Sequence, residues 1–69
     1  MEFVRQKSTG RIGFIGVDPY GVRGPGEIIV SFAPATDPDR YLGNGYPRKQ
    51  FDRVNEKDLT RYYRKKYCV

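Results

Sequence analysis

The sequence has no histidine and no tryptophan, and its one cysteine, Cys68, stands next to the last residue. A serine or cysteine nucleophile with an imidazole base cannot be assembled without histidine. A structural zinc site of the cysteine and histidine kind is excluded for the same reason, and one cysteine forms no intrachain disulfide. Asp37 and Asp39 flank Pro38, which is ordinary turn chemistry rather than an acid–base pair. We therefore expect a protein that is not an enzyme and uses no metal or other cofactor.

Long apolar runs are also missing. No segment approaches the roughly 20 apolar residues that a membrane-spanning helix needs. Residues 1–7 lack the apolar stretch of a secretory signal peptide. A free cysteine is typical of a reducing compartment. The sequence predicts a cytoplasmic protein with no membrane partner.

The chain has 69 residues, which predicts one domain spanning residues 1–69. Domains of this size bury about 60% of the surface of the unfolded chain, so the core is small. Small domains often gain stability from a disulfide, a metal or a partner chain. Because the first two are excluded, a homodimer or a docked partner is left open.

The longest β-branched run is residues 27–33, Glu-Ile-Ile-Val-Ser-Phe-Ala, and turn-forming residues bound it on both sides. Such a run predicts the central strand of a sheet. Ile28, Val30 and Phe32 alternate along it, so we expect them to share the face that meets the core.

Residues 3–7, 11–17 and 48–54 are the other predicted strands. The strand at 11–17 should pair with the central strand as an antiparallel hairpin. Its glycines, Gly13 and Gly16, predict a bulge or a sharp bend where two backbones pack closely.

All eight glycines and all five prolines lie between residues 10 and 47. The loop at 18–26 and the segment at 34–47 are therefore predicted as turns, and Asn44-Gly45 could close a tight turn of its own. Near the C-terminus, Asn55 followed by Asp58 resembles a helix cap, and Leu59, Tyr62, Tyr63 and Tyr67 fall at helical spacing, which favours a helix over residues 56–66. Aromatic enrichment instead favours a strand over residues 59–64. We expect a 3₁₀ or helical turn there.

Three segments resemble the SH3-like barrel: residues 9–15 (Thr-Gly-Arg-Ile-Gly-Phe-Ile), residues 27–32 and residues 51–59. The first is similar to the Gly-x-(Val/Ile)-x-x-(Val/Ile) core of KOW and Tudor-type barrels. The resemblance implies a mainly β fold, a small antiparallel barrel of about five strands with a short helical turn near the C-terminus. Its relatives bind RNA, DNA, peptides or methylated side chains, so the fold alone does not decide the ligand. The tryptophan pair with which signalling SH3 domains hold proline-rich ligands is absent.

The net charge of +5 is unevenly placed. Residues 1–47 carry five basic and five acidic side chains, whereas residues 48–69 carry eight basic and three acidic ones. Aromatic residues interleave with these cations, a pattern typical of proteins that neutralise phosphates and stack on unpaired bases. The alternative is that the aromatics form core and the cations cover them. The side chains predicted to contact nucleic acid, or else an acidic protein surface, are Arg48, Lys49, Arg53, Arg61, Tyr62, Arg64, Lys65 and Lys66.

Three tyrosines occupy predicted loops: Tyr20, Tyr41 and Tyr46. Tyrosine gives rigid, amphipathic contact area at protein interfaces. These residues support a second hypothesis, a protein-interaction module such as a complex subunit, an assembly factor or a phage-type inhibitor of a host enzyme. The alternative is that they cover the open ends of a small barrel.

Overall fold

The computed structural model describes residues 1–21 and 24–69. The predicted loop at residues 18–26 therefore lies partly outside the described residues. Five strands form one sheet: β1 (Phe3–Gln6), β2 (Ile12–Ile15), β3 (Glu27–Ser31), β4 (Asn44–Pro47) and β5 (Phe51–Val54). Two 3₁₀ turns, Arg48–Gln50 and Glu56–Asp58, and one helix, α1 (Arg61–Tyr67), complete the fold.

The strand order in the sheet is β4-β3-β2-β1-β5, and every pair of neighbours is antiparallel. The expected mainly β fold with five antiparallel strands and a helical segment near the C-terminus is confirmed. The sheet is open rather than closed into a barrel, with β4 and β5 as its edges. The two edge strands contact each other through side chains. The ring of Tyr46 in β4 packs edge to face on that of Phe51 in β5, with centroids 5.3 Å apart.

Strand β4 lies where the sequence predicts a loop. Asn44 and Gly45 do not close a tight turn, since they pair with Val30 and Ile29 of β3. The prediction failed because turn-forming residues have poor strand propensity, while the free edge of β3 offers main-chain partners that override it. The predicted strand at 48–54 is likewise shorter, because its first three residues form the 3₁₀ turn Arg48–Gln50.

Apolar side chains pack on both faces of the sheet. Successive residues of a strand point to opposite faces, so Phe3 and Val4 enter different clusters. The predicted core positions Ile28 and Val30 are buried beside Val4, and Phe32 packs half-buried against them. The helix-side cluster is Phe3, Phe14, Leu59 and Tyr67. The opposite cluster is Val4, Ile28, Val30 and Phe51.

Helix α1 is attached to the sheet through the main chain of Ile12. Strand β3 pairs only with Phe14 and Ile15 of β2, so it does not extend beside Ile12. Two tyrosines of α1, and not β3, form the hydrogen bonds to the main chain of Ile12 on this side. The Ile12 N–H donates to the Tyr63 hydroxyl at 3.3 Å, and the Tyr67 hydroxyl donates to the Ile12 carbonyl at 2.6 Å. Burial raises the pKa of Tyr67 to about 12.

Three glycines stand where backbones nearly touch. A Cβ atom on Gly13 would lie 2.6 Å from the Ser31 carbonyl oxygen, one on Gly16 would lie 2.5 Å from the Tyr41 carbonyl oxygen, and one on Gly43 would lie 2.3 Å from the Val30 carbonyl oxygen. The expected close approach of backbones is confirmed at both Gly13 and Gly16, and at Gly13 it brings β2 and β3 together at the end nearest α1.

Candidate functional site

The two sides of α1 differ in exposure. Tyr63 and Tyr67 are four residues apart, so they share one side of the helix, and both pack on the helix-side cluster. Arg61, Tyr62 and Lys65 are exposed to solvent, and the Tyr62 side chain keeps 65% of its surface accessible. An isolated seven-residue helix is unstable in water. Its tertiary contacts through Tyr63 and Tyr67 therefore determine where this exposed side lies.

A groove of about 580 Å³ lies between α1 and the segment that follows β3. The Ala35 N–H donates to the Lys66 carbonyl oxygen at 2.8 Å, which holds this segment against the helix. We call this feature the α1 groove. Its lining residues are Pro34, Ala35, Thr36, Tyr62, Lys65, Lys66 and Cys68.

The ring of Tyr62 is held by its neighbours despite its exposure. It packs edge to face on Tyr63 with ring centroids 5.0 Å apart. The Lys66 ammonium lies 5.9 Å from the centroid of the Tyr62 ring and 5.5 Å from that of Tyr67. Such cation–π contacts restrict both side chains. The groove therefore has an aromatic wall with positive charge beside it.

Charge compensation distinguishes α1 from β5. Asp52 of β5 pairs with Arg5 at 3.7 Å and Lys7 at 3.8 Å, and Arg53 pairs with Glu2 at 3.9 Å. These pairs partly neutralise the cations beside β5. Within residues 1–21 and 24–69, by contrast, no ion pair includes a side chain of α1. The positive charge of the helix is thus not neutralised by a carboxylate among the described residues.

Arg64 differs from the other basic residues of α1. Its guanidinium donates from Nε to the Leu59 carbonyl at 3.3 Å and from Nη2 to the Glu56 carbonyl at 3.1 Å. Both acceptors belong to the 3₁₀ turn and the residue after it. Arg64 therefore acts as a clamp that holds residues 56–59 against α1. The sequence did not indicate this structural role.

The structure divides the predicted basic strip between separate places. Arg48 and Lys49 are exposed in the 3₁₀ turn between β4 and β5. Arg53 pairs in register with Val4, and its neighbour Val54 packs on the helix-side cluster. Because side chains alternate, Arg53 lies on the face of the sheet opposite α1. Arg61, Tyr62, Lys65 and Lys66 remain together on the helix.

The three predicted loop tyrosines also differ. Tyr20 is 83% exposed in the turn after β2. Tyr41 packs edge to face on Phe14 at 6.0 Å, with the Arg40 guanidinium 4.5 Å from its ring centroid. Tyr46 belongs to β4 rather than to a loop and packs on Phe51. Of the three, Tyr20 offers the largest free surface.

A second groove, of about 280 Å³, adjoins Tyr20. Val17 and Leu42 line it and are exposed, at 50% and 58%. Neither residue was predicted to belong to a site, although a large apolar side chain in a turn-rich segment is itself a signal. Residues 34–36 were not predicted either, because their partner α1 lies about 30 positions later and leaves no local signal.

No group of three or more histidine, cysteine, aspartate or glutamate side chains in the described part of the chain is arranged to hold a metal ion. No helix among the described residues is long and apolar enough to cross a bilayer.

No protein-family model, curated protein or solved structure matches the chain. The function of the chain is therefore inferred from its own side chains.

Proposed function

We propose that the chain is a non-catalytic binding module that contacts nucleic acid through the exposed side of α1. The observation that carries the proposal is the exposed ring of Tyr62, with the Lys66 ammonium 5.9 Å from its centroid. Lys65 lines the α1 groove together with these two residues, and Arg61 precedes Tyr62 on the helix. Lysine and arginine neutralise backbone phosphates with release of counterions. An aromatic face beside them adds stacking on bases.

The location of the remaining cations supports this assignment. Arg53 is engaged by Glu2, and Arg64 is engaged by main-chain carbonyls. Arg48 and Lys49 lie in a different 3₁₀ turn. The proposal therefore assigns the principal contact to α1 and at most a peripheral one to residues 48–53. The resemblance to SH3-like barrels stays a prediction, and it would place the chain among modules that bind RNA, DNA or peptides.

The test is a fluorescence anisotropy titration with labelled DNA and RNA at low and near-physiological salt. The variant Arg61→Gln/Lys65→Gln/Lys66→Gln should lose at least about tenfold in affinity at low salt, since several phosphate contacts disappear together. Its matched control is Arg48→Gln/Lys49→Gln/Arg53→Gln, which removes the same charge from the other half of the predicted strip and should bind nearly as the unmodified chain does. Circular dichroism verifies that both variants are folded.

Equal losses in the two triple variants would show that net charge, and not the surface of α1, carries the binding. An absence of binding by the unmodified chain at low salt would overturn the nucleic-acid assignment. The exposed cations of α1 would then be assigned to an acidic protein surface, to be sought by pull-down with the same two variants.

The groove beside Tyr20 favours a second candidate function, a protein-interaction module. Val17, Tyr20 and Leu42 expose apolar area on a small domain, and such area is typical of protein contacts. A complex held there should persist in high salt and weaken on Tyr20→Ser/Leu42→Ser, while the triple variant of α1 leaves it intact. Pull-down at two salt concentrations separates this function from the first.

A further inference from the structure

We propose that the α1 groove is a subsite for one unpaired base of a single-stranded nucleic acid, stacked on the ring of Tyr62. This inference rests on the proposed function and makes it more specific, because contact with phosphates alone would not distinguish a single strand from a duplex. It assigns the base to Tyr62 and the adjoining phosphates to Arg61, Lys65 and Lys66.

The tyrosines of α1 differ in their exposure and in their contacts. Tyr67 is 2% exposed and Tyr63 is half-buried, and both serve the core and the main chain of Ile12. Tyr62 makes neither of these contacts and is 65% exposed. Its edge-to-face contact with Tyr63 nevertheless fixes the ring, so little side-chain entropy would be lost on stacking.

The shape of the groove is set by α1 and residues 34–36. The Ala35–Lys66 hydrogen bond sets the distance between the helix and residues 34–36. Pro34 and Ala35 supply apolar surface near the tyrosine ring. A volume of about 580 Å³ lies within the range of roughly 300 to 1,000 Å³ found for small-ligand pockets. The groove can therefore admit a planar heterocycle.

The charged side chains that line the groove are basic. No carboxylate lines the groove, and Lys65 and Lys66 stand at its rim. A ligand that is flat at one end and anionic at the other satisfies both the apolar wall and the rim. A nucleotide unit of a single strand has this form, whereas the bases of a duplex are already stacked on one another and leave only phosphates for the cations.

The test compares two labelled single strands of equal length and charge, ten thymidines and ten abasic sugar-phosphate units, by anisotropy at low salt. The unmodified chain should bind the thymidine strand about five- to a hundredfold more tightly, as expected for one base stacked on an aromatic side chain. Tyr62→Ala should abolish this ratio and leave the affinity for the abasic strand unchanged, while Tyr62→Phe should keep the ratio. Tyr20→Ala, a change at another exposed tyrosine, is the matched control and should also keep it.

A second measurement reports on the base itself. A strand carrying one 2-aminopurine should lose fluorescence on binding, since stacking on tyrosine quenches it, and Tyr62→Ala should remove this loss. Parallel titrations with ten uridines and with a duplex complete the set. Uridine strands should show the same dependence on Tyr62, and the duplex should bind no better than the abasic strand.

The outcomes separate this inference from the proposed function. Equal binding of thymidine and abasic strands, both weakened by the triple variant of α1, would overturn the base subsite and leave the proposed function standing. An absence of binding to every strand at low salt would overturn both. A polyglutamate peptide that binds as tightly as the thymidine strand would also overturn the subsite, and would point to an acidic protein instead.

Discussion

Tyr63 and Tyr67 share the main chain of Ile12 between them, one hydroxyl accepting from its N–H and the other donating to its carbonyl. The second bond requires a neutral phenol, because a phenolate has no proton to donate. The raised pKa of Tyr67, about 12, thus keeps the hydroxyl protonated well beyond the range in which an exposed tyrosine ionises. Attachment of α1 is therefore sensitive to strongly alkaline pH.

The pH dependence of Tyr67 is the prediction at this scale. The folded state holds the phenol proton up to pH about 12, whereas the unfolded chain releases it near pH 10. Tyr67 therefore contributes its full stabilisation below pH 10, and this contribution, on the order of 2 to 3 kcal/mol, is lost as the pH rises from about 10 to 12. Urea unfolding at a series of pH values should show this decline.

Tyr67→Phe provides the comparison. It removes the hydrogen bond to Ile12, so we expect a loss of about 1 to 2 kcal/mol in the free energy of unfolding at pH 7. Its stability should also fall less between pH 10 and 12 than that of the unmodified chain. Tyr20→Phe, at an exposed site, should behave as the unmodified chain does. Parallel curves for Tyr67→Phe and the unmodified chain would assign the alkaline decline to other groups.

At the scale of elements, the sequence predicts those strands and helices whose conformation depends mainly on the preferences of their own residues. The β-branched run at residues 27–33 predicted β3, and its alternation predicted that Ile28 and Val30 are buried. It did not predict that Ser31, on the other face, is buried as well. The spacing of Tyr63 and Tyr67 indicated a helix, but aromatic content indicated a strand equally well. The sheet decides between them, because only a helix presents both hydroxyls to Ile12.

Elements that depend on distant partners were not predictable. Strand β4 consists of Asn44-Gly45-Tyr46-Pro47, all but one of them turn formers, and exists because β3 pairs with it. The division of the basic strip has the same cause: the side on which Arg53 lies depends on the register of β5 against β1. The sequence predicted the cations of the site, while the α1 groove required the contact between Ala35 and Lys66.

One prediction at this scale concerns Arg64, which links the 3₁₀ turn Glu56–Asp58 to α1. Arg64→Ala leaves the carbonyls of Glu56 and Leu59 without their guanidinium donor, so we expect a loss of about 1 to 3 kcal/mol in the free energy of unfolding. Arg64→Lys should recover only part of it, since one ammonium lacks the fork that reaches both oxygens.

Lys65→Ala is the control for Arg64. It is the adjacent exposed cation, and its removal should change stability by no more than about 0.5 kcal/mol. Urea unfolding measures all three variants. If Arg64→Ala were as stable as the unmodified chain but bound nucleic acid more weakly, Arg64 would belong to the binding surface and not to the clamp.

For the whole molecule, folding redistributes the charge. The sequence places the excess of cations in residues 48–69, yet Glu2 comes to lie beside Arg53, and Asp52 draws Arg5 and Lys7 toward it. The cations beside β5 are thus partly neutralised, whereas those of α1 form no ion pair among the described residues. Under the proposed function, the charge on α1 would orient the molecule toward a polyanion before contact.

The salt dependence of binding is the prediction at this scale. If Arg61, Lys65 and Lys66 each neutralise one phosphate, the logarithm of the affinity for a single strand should fall with the logarithm of salt concentration with a slope of about −2. The triple variant of α1 should have a slope near zero, and the variant of residues 48, 49 and 53 should keep most of the original slope. A slope that falls equally in both variants would mean that contacts are spread over the molecule.

The near contacts of Gly13 and Gly43 limit how this chain can change over generations. Any side chain at these two positions would meet a carbonyl oxygen of β3 at 2.6 or 2.3 Å, and backbone cannot yield as a flexible side chain does. The exposed side chains of Arg61 and Lys65, in contrast, lie on the surface, where substitutions usually change stability little. Substitutions in descendants of this chain should therefore accumulate on the outer side of α1 while the two glycines persist.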